Sequence, residues 1–255
     1  MEKRFVGKVG FVTGATTGIG QAIAVRMASE GAIVGVNQRK TDDPTETLRR
    51  IKEAGGEGFP VVADVRDPAQ VVGMVQEVAK RGGHLDWVAS NAGINPYMKW
   101  DETPIEQFDA LSETNFRGTW LVCTEAAKQM IKEGHGGAIT CTSSLSAYVG
   151  SPFQAAYCGT KAGVSMLVKA LGCVFGEHGI RINAVEPGCI DTPMSADLLK
   201  DPPSLKYYTD RIALHRVGKP EEMAAVHAFL LSDDASYLTC ATILADAGFI
   251  VNAEL

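Results

Sequence analysis

Short, unbroken apolar runs alternate along this chain with stretches whose apolar positions recur every three to four residues. The runs at residues 8–13, 33–37, 58–63, 85–90, 137–142, 181–185 and 242–245 have the length of strands. The periodic stretches at 20–30, 45–53, 68–80, 105–132, 153–176 and after Pro220 have the spacing of helices. A strand with one face in water alternates apolar and polar residues, and these runs do not alternate. Both faces of their sheet must therefore be covered. The pattern predicts an α/β chain: a single-domain Rossmann-type doubly wound parallel sheet flanked by helices, spanning residues 1–255. The one irregular stretch long enough to serve as a lid is 189–215.

Composition narrows the function more than the fold. The 255 residues are 45% hydrophobic, enough for one large core, and the formal net charge is −6 with no block of Lys or Arg. That balance disfavours a nucleic-acid or anionic-membrane surface and leaves a small molecule as the expected substrate. No apolar run approaches the ~18 residues of a membrane span, and the start MEKRFVGK has no apolar signal core, so the expected location is cytoplasmic. Six cysteines without a C-x-x-C and five histidines without ligand spacing predict neither a disulfide framework nor a bound metal.

Candidate chemistry concentrates in residues 142–161. Tyr157 and Lys161 stand four apart in a predicted helix, on one face and about a turn from each other. A cation ~4 Å from a phenol, at an effective dielectric of ~20, favours the phenolate by about 4 kcal/mol. A group that ionises near pH ~10 then becomes a base reachable near neutrality. Ser144 follows the predicted strand 137–142, which would carry its hydroxyl to the strand's C-terminal end, where ligands of open α/β sheets bind. A Tyr–Lys pair alone is common on half-buried helices, so its weight comes from its surroundings. Between the first strand and the first helix lies Thr13-Gly14-Ala15-Thr16-Thr17-Gly18-Ile19-Gly20. Glycines there permit a tight turn and let a diphosphate approach the helix N-terminus. The spacing is T-G-x-x-x-G-x-G rather than G-x-G-x-x-G.

Joined to Asn91-Ala92-Gly93 after the fourth strand and to Ser144, Tyr157 and Lys161, this turn makes the chain resemble the short-chain dehydrogenase/reductase family over essentially its whole length. The resemblance implies specific roles. Gly14, Thr17, Gly18, Ile19 and Gly20 belong to the turn that lines the cofactor diphosphate, Asp64 and Val65 meet the adenine, and Asn91, Ala92 and Gly93 form the floor beside the nicotinamide. Pro187, Gly188, Ile190 and Thr192 match the segment that holds the carboxamide end, and Tyr157 and Lys161 also touch the cofactor. Asn115 joins Ser144, Tyr157 and Lys161 as the fourth catalytic residue, its kinked backbone carbonyl holding a water that links Lys161 to solvent. The family further implies a homotetramer. In agreement, the helix at 153–175 carries Ala155, Ala156, Met166, Leu167, Val168, Leu171 and Val174, an apolar arc wider than one sheet contact covers. Two positions depart from the family: Cys240 and Ala247 stand where it carries glycine.

The mechanism can be read from the residues alone. An alcohol must lose a proton as its carbon gives up a hydride, and a base with a pKa close to working pH does this best. Tyr157 is that base, Lys161 lowers its pKa and can hold the nicotinamide ribose, and Ser144 fixes the substrate oxygen. At the end of the second strand, Gln38 and Arg39 replace the acidic residue that would repel a 2′-phosphate, which favours NADP and keeps NAD as a usable second cofactor. Thr17, where many NADP-preferring relatives carry Lys or Arg, is why NAD is retained.

For the substrate, residues 36–39, 91–96 and 248–252 resemble the sugar 1-dehydrogenase branch, L-rhamnose and glucose 1-dehydrogenases among them. A sugar needs several polar groups around the reactive carbon, and Asn95, Ser146 and Gln154 join Ser144 and Tyr157 as candidates, with Asp197 and Arg211 from the lid. The expectation is oxidation of an aldose, L-rhamnose first, to a lactone. Two readings stay open beside it: a reductase of a 3-oxoacyl thioester or other ketone, and a cofactor-sensing regulator. The first needs a basic surface for an acidic carrier, and the second has no use for Ser144, Tyr157 and Lys161 together.

Overall fold

The computed structural model describes residues 3–252. The chain enters through β1 (Val9–Val12), buried along its whole length, and turns into α1 (Gly18–Ser29) and back into β2 (Ile33–Gln38). Next come α2 (Thr45–Glu53), β3 (Glu57–Val62), α3 (Pro68–Gly82) and β4 (Trp87–Ser90). The ends of α3 are written locally. Asp67 accepts hydrogen bonds from the backbone N–H groups of Ala69 and Gln70, Pro68 occupies the first turn, and Gly83 closes the helix at φ 87°.

The second half runs through α4 (Ile105–Leu111), a π-helical turn (Ser112–Arg117), α5 (Gly118–Glu133), β5 (Gly137–Thr142) and α6 (Ala155–Phe175). It finishes with β6 (Ile180–Pro187), α7 (Ala196–Lys200), α8 (Pro202–Arg211), α9 (Pro220–Leu231) and β7 (Thr242–Ala245).

Among the described residues the sheet has seven strands in the order β3-β2-β1-β4-β5-β6-β7, every pair parallel. One core, with Phe11, Val78, Val122, Val164 and Ile182, lies under α3, α5 and α6; a second, with Ile23, Met27, Trp87, Ala224 and Ala228, lies under α1 and α9. The covered faces are what the unbroken apolar runs require. From β1 the order runs outward through β2 on one side and through β4 on the other. The loops after β1 and β4 therefore open side by side, at the place where such sheets bind ligands.

Two expectations change. The predicted helix at 105–132 is interrupted by the π turn, a one-residue widening that re-aims the side chains inside it, Asn115 among them. The presumed irregular lid at 189–215 contains α7 and α8 and a short 3₁₀ turn at Pro193–Ser195, because Pro202 and Pro203 start α8 under an Asp201 cap. Ala155–His178 is long and apolar enough to cross a membrane by length and composition, although Lys161 and Lys169 break it into short apolar runs. Its apolarity has another use here: Val164, Leu167, Val168 and Leu171 fill the core between α6 and the sheet.

Candidate active site

The loops at the C-terminal edge of the strands enclose a cleft of about 1150 Å³. Its first wall is the turn after β1. Gly14 and Gly18 sit at φ 62° and 55°, which a side chain rarely adopts. A Cβ on Gly20 would fall 2.2 Å from the Gly14 carbonyl oxygen and 2.5 Å from Asn91 Nδ2, so Gly20 lies outside the cleft and lets α1 press against both turns. The turns are also tied directly: Thr13 Oγ1 accepts from the N–H groups of Asn91 (2.8 Å) and Ala92 (3.0 Å). At its start α1 has neither a side-chain cap nor an acidic residue in the first turn, which leaves its amides and its positive end for an anionic ligand. Thr17, Gly18, Ile19, Asn91, Ala92 and Gly93 line this part of the cleft.

Ser144, Tyr157 and Lys161 meet on the floor. Ser144 Oγ accepts the N–H of Ser146 at 3.1 Å, and the Ser144 hydroxyl favours the ionised form of the Tyr157 phenol. The Lys161 ammonium donates to the Thr142 carbonyl at 2.9 Å and stands 5.5 Å from the centre of the Tyr157 ring. Burial pushes the phenol up to about 12, against the lowering effect of Ser144, and pushes the lysine down to about 8. This corrects the expectation that Lys161 brings the phenol near neutrality. A carbonyl holds the ammonium, desolvation governs both groups, and Tyr157 is a neutral acid at pH ~7.

Asn115, fully buried in the π turn, is not in the cleft but behind it. Its Oδ1 accepts from Ile94 N (2.9 Å), its Nδ2 donates to Ile94 O (2.9 Å) and to Thr160 Oγ1 (3.3 Å), and its carbonyl accepts from Thr119 Oγ1 (2.8 Å). A Cβ on Gly93 would lie 3.3 Å from Asn115 Oδ1 and 3.5 Å from Lys161 Nζ, so the loop after β4 runs between the two.

Gln38, Arg39, Asp64 and Val65 line the far end. Gln38 Oε1 is buried without a hydrogen-bond partner in the protein. Arg39 grips Asp42 with Nε (3.0 Å) and Nη2 (2.9 Å), which raises the arginine and holds the carboxyl below its ordinary range; Asp64 is likewise taken by Arg66 (2.7 Å). Pro187, Gly188, Ile190 and Thr192 form the opposite wall, where a Cβ on Gly188 would meet Asp246 Cα at 2.7 Å. A turn with no room for side chains, unspent helix amides and an orphaned acceptor beside a cation together fit a nicotinamide dinucleotide.

On the substrate side, Asn95, Ser146, Gln154 and Arg211 line the cleft, and Asn95 Oδ1 is buried and unpartnered. Asp197 does not: its carboxylate is fully exposed and pairs with Lys200, because it sits on the outer side of the short α7. Sequence reasoning missed the aromatic wall of Tyr97, Tyr207, Tyr208 and Phe249. Tyr208 stacks on Phe249 at 5.5 Å, and Tyr207 meets Tyr208 edge-on at 5.4 Å. Burial raises the Tyr97 and Tyr208 phenols. The adjacent tyrosines in the presumed lid were the available signal. Also missed were Asp42, Thr142 and, behind the cleft, His227.

A family model described as enoyl-(acyl carrier protein) reductase matches residues 14–250. The L-rhamnose 1-dehydrogenase (NAD(P)(+)) of a Sphingomonas strain is 38% identical over 253 residues, 99% of this chain and 100% of that one. The L-rhamnose-1-dehydrogenase of Scheffersomyces stipitis is 36% identical over 252 residues, 97% of this chain and 98% of that one. Among solved structures, a gluconate 5-dehydrogenase from Burkholderia cenocepacia in complex with NADP and tartrate superposes with a TM-score of 0.92 at 29% identity, covering 98% of both chains.

Proposed function

The chain belongs to the short-chain dehydrogenase/reductase family and is an NAD(P)-dependent oxidoreductase, and from that premise we propose that it oxidises the anomeric hydroxyl of an aldose to a lactone. The observation that carries the sugar is the polar side of the cleft. The cleft that holds Tyr157 is also lined by Ser144, Ser146, Gln154 and Asn95, and the Asn95 side-chain Oδ1 has no partner in the protein. An apolar substrate would leave these groups unpaired, whereas a ring of hydroxyls satisfies them. L-rhamnose is the first sugar to try, since relatives of nearly the same length are L-rhamnose 1-dehydrogenases.

When bound, the nicotinamide supplies the hydride acceptor. Ser144, its lone pair held by the Ser146 N–H, donates to the substrate oxygen and sets it within reach of Tyr157. The ionised Tyr157 takes the hydroxyl proton as the C–H electron pair leaves the anomeric carbon, and the C–O bond becomes the lactone carbonyl. In reduction the neutral Tyr157 returns that proton. Lys161, held by the Thr142 carbonyl, would hold the nicotinamide ribose, and Asn115 keeps Gly93 and Ile94 in place beside it. Gly14, Thr17, Gly18 and Ile19, backed by Gly20, would hold the diphosphate, Gln38 and Arg39 the adenine ribose, and Asp64 and Val65 the adenine. Asn91, Ala92, Gly93, Pro187, Gly188, Ile190 and Thr192 would hold the nicotinamide end. NADP is the preferred cofactor and NAD a second.

Residues 189–215, with α7, α8 and their tyrosines, act as the lid. The protein assembles as a homotetramer in the cytoplasm. Assembly is supported by Phe116, Trp120, Met166 and Val174, large apolar side chains exposed on and beside α5 and α6; Leu167, Val168 and Leu171 belong instead to this chain's own core. Initial rates with NAD and NADP against aldoses, polyols, simple secondary alcohols and acyl thioesters test the substrate. If a 3-oxoacyl thioester exceeds every aldose in kcat/KM, the sugar reading is wrong and a thioester reductase replaces it.

A further inference from the structure

His227 is fully buried on α9, away from the cleft lining, and the reaction above makes no use of it. Its ring bridges two threonines of β5: Nδ1 lies 2.8 Å from Thr140 Oγ1 and Nε2 lies 3.4 Å from Thr142 Oγ1. From Thr142 the bonds continue to the turns of the cofactor site. Thr142 Oγ1 donates to Asn91 Oδ1 at 3.0 Å, and Asn91 Nδ2 donates to the carbonyls of Thr13 at 3.1 Å and Gly14 at 3.5 Å.

The direction of this chain is determined by its far end. Carbonyls only accept, so the Asn91 amide nitrogen must face Thr13 and Gly14, and Oδ1 must face Thr142. Thr142 has one hydroxyl proton and gives it to Asn91, so it can only accept from His227. Nε2 therefore carries the ring proton, and Nδ1 accepts from Thr140. Burial, which pushes the imidazole down to about 3, keeps the ring neutral with one proton.

We propose that His227 is a positioning residue for the cofactor: through the Thr142 hydroxyl it orients the Asn91 amide that clasps the Thr13–Gly14 turn. The Thr142 backbone carbonyl, which holds Lys161, belongs to the strand and does not depend on this hydroxyl. Loss of the chain should thus weaken cofactor binding and leave the chemical step nearly intact.

The inference rests on reading the cleft as a dinucleotide site, and the readout is the Kd for NADPH by fluorescence titration together with the steady-state constants. His227→Leu should raise Kd and cofactor KM by about tenfold, the upper range for one net hydrogen bond, while kcat at saturation changes less than about threefold. His227→Gln, whose amide N–H can replace Nε2–H toward Thr142, should stay within about threefold of the unaltered Kd. His227→Asn, which can replace Nδ1 toward Thr140 but does not reach Thr142, should behave like His227→Leu. A role in packing alone would not separate Gln from Asn in this way. Should the leucine variant fail to fold, Thr142→Val against Thr142→Ser cuts and keeps the same link, with the same expected split. Equal Kd values within either pair overturn the positioning role while the dinucleotide reading stands. No NADPH binding by the unaltered protein overturns both.

Discussion

The guanidinium that the sequence offers to a 2′-phosphate is already engaged by Asp42 through two N–H bonds, so replacing that carboxylate is the sharper perturbation. Arg39 is exposed and Asp42 partly so, with side-chain exposures of 59% and 23%. An exposed ion pair of this kind is worth about 0.2–1 kcal/mol, which is all that a bound phosphate must overcome to recruit Arg39. Asp42→Asn should therefore tighten NADP binding by roughly 1.4- to 5-fold, with NAD, which lacks the phosphate, unchanged. Arg39→Asp acts in the opposite sense. It removes a charge-assisted contact of about 1–3 kcal/mol and weakens NADP by roughly 5- to 150-fold. Calorimetric titration with adenosine 2′,5′-bisphosphate and with AMP isolates the phosphate from the rest of the cofactor. Both effects should shrink as salt rises, because exposed charges are screened over about 10 Å at ~0.1 M. If both substitutions leave the NADP to NAD ratio where it was, Arg39 is a solvated strand end and the 2′-phosphate is held elsewhere.

Four further outcomes are expected. Tyr157→Phe keeps the ring and removes the proton acceptor, so kcat should fall by at least ~10²-fold with the NADPH Kd almost intact; near-normal turnover would remove Tyr157 from the mechanism. Oxidation needs the phenolate of a group pushed up to about 12, so its rate should climb with pH from neutrality into the alkaline range while reduction, which needs the phenol, does not. A pH-independent oxidation rate from roughly pH 6 to 9 would contradict this. Ala247 sits at φ 52°, in the left-handed region where the family carries glycine, and Ala247→Gly should relieve strain and raise Tm by roughly 2–4 °C. A lower Tm by calorimetry would mean the alanine methyl has a packing role. Sedimentation at micromolar concentration should show four chains; a 27.1 kDa particle would rule out the tetramer.

Most of the architecture was legible because it depends on patterns that repeat. Unbroken apolar runs signalled a sheet covered on both faces, and the strand at Gly137–Thr142 and the helix at Thr45–Glu53 fall where their patterns placed them. The glycine turn was readable for a local reason, since glycine adopts the left-handed backbone at 14 and 18 without strain and position 20 has no room for a side chain beside Asn91. The π turn around Asn115 was not, because one additional residue per turn leaves the apolar periodicity of residues 105–132 nearly unchanged. The helices of the lid were hidden because neither buries a residue that would give an apolar period, and the packing of Tyr207 and Tyr208 against Phe249 joins positions far apart in the chain.

The chemistry of the site was harder to read than its membership, and the Tyr157–Lys161 pair shows why. A spacing of four on a helix fixes that two side chains share a face; it does not fix which atom a long, flexible lysine reaches. Here the nearest strong acceptor for the ammonium is the Thr142 carbonyl at 2.9 Å, contributed by a strand that meets α6 only in the folded chain. A Coulomb attraction across ~4 Å at an effective dielectric of ~20 takes no account of the desolvation that burial imposes on both groups. At the phenol desolvation wins, moving it to about 12 instead of toward neutrality. The same limit applies to Thr140 and Thr142. Two hydroxyls in a strand whose other residues are apolar or small demand buried partners, and the sequence shows that demand. That His227, 85 residues beyond Thr142, meets it is a fact of the third dimension, and it is there that the cofactor turns acquire their support.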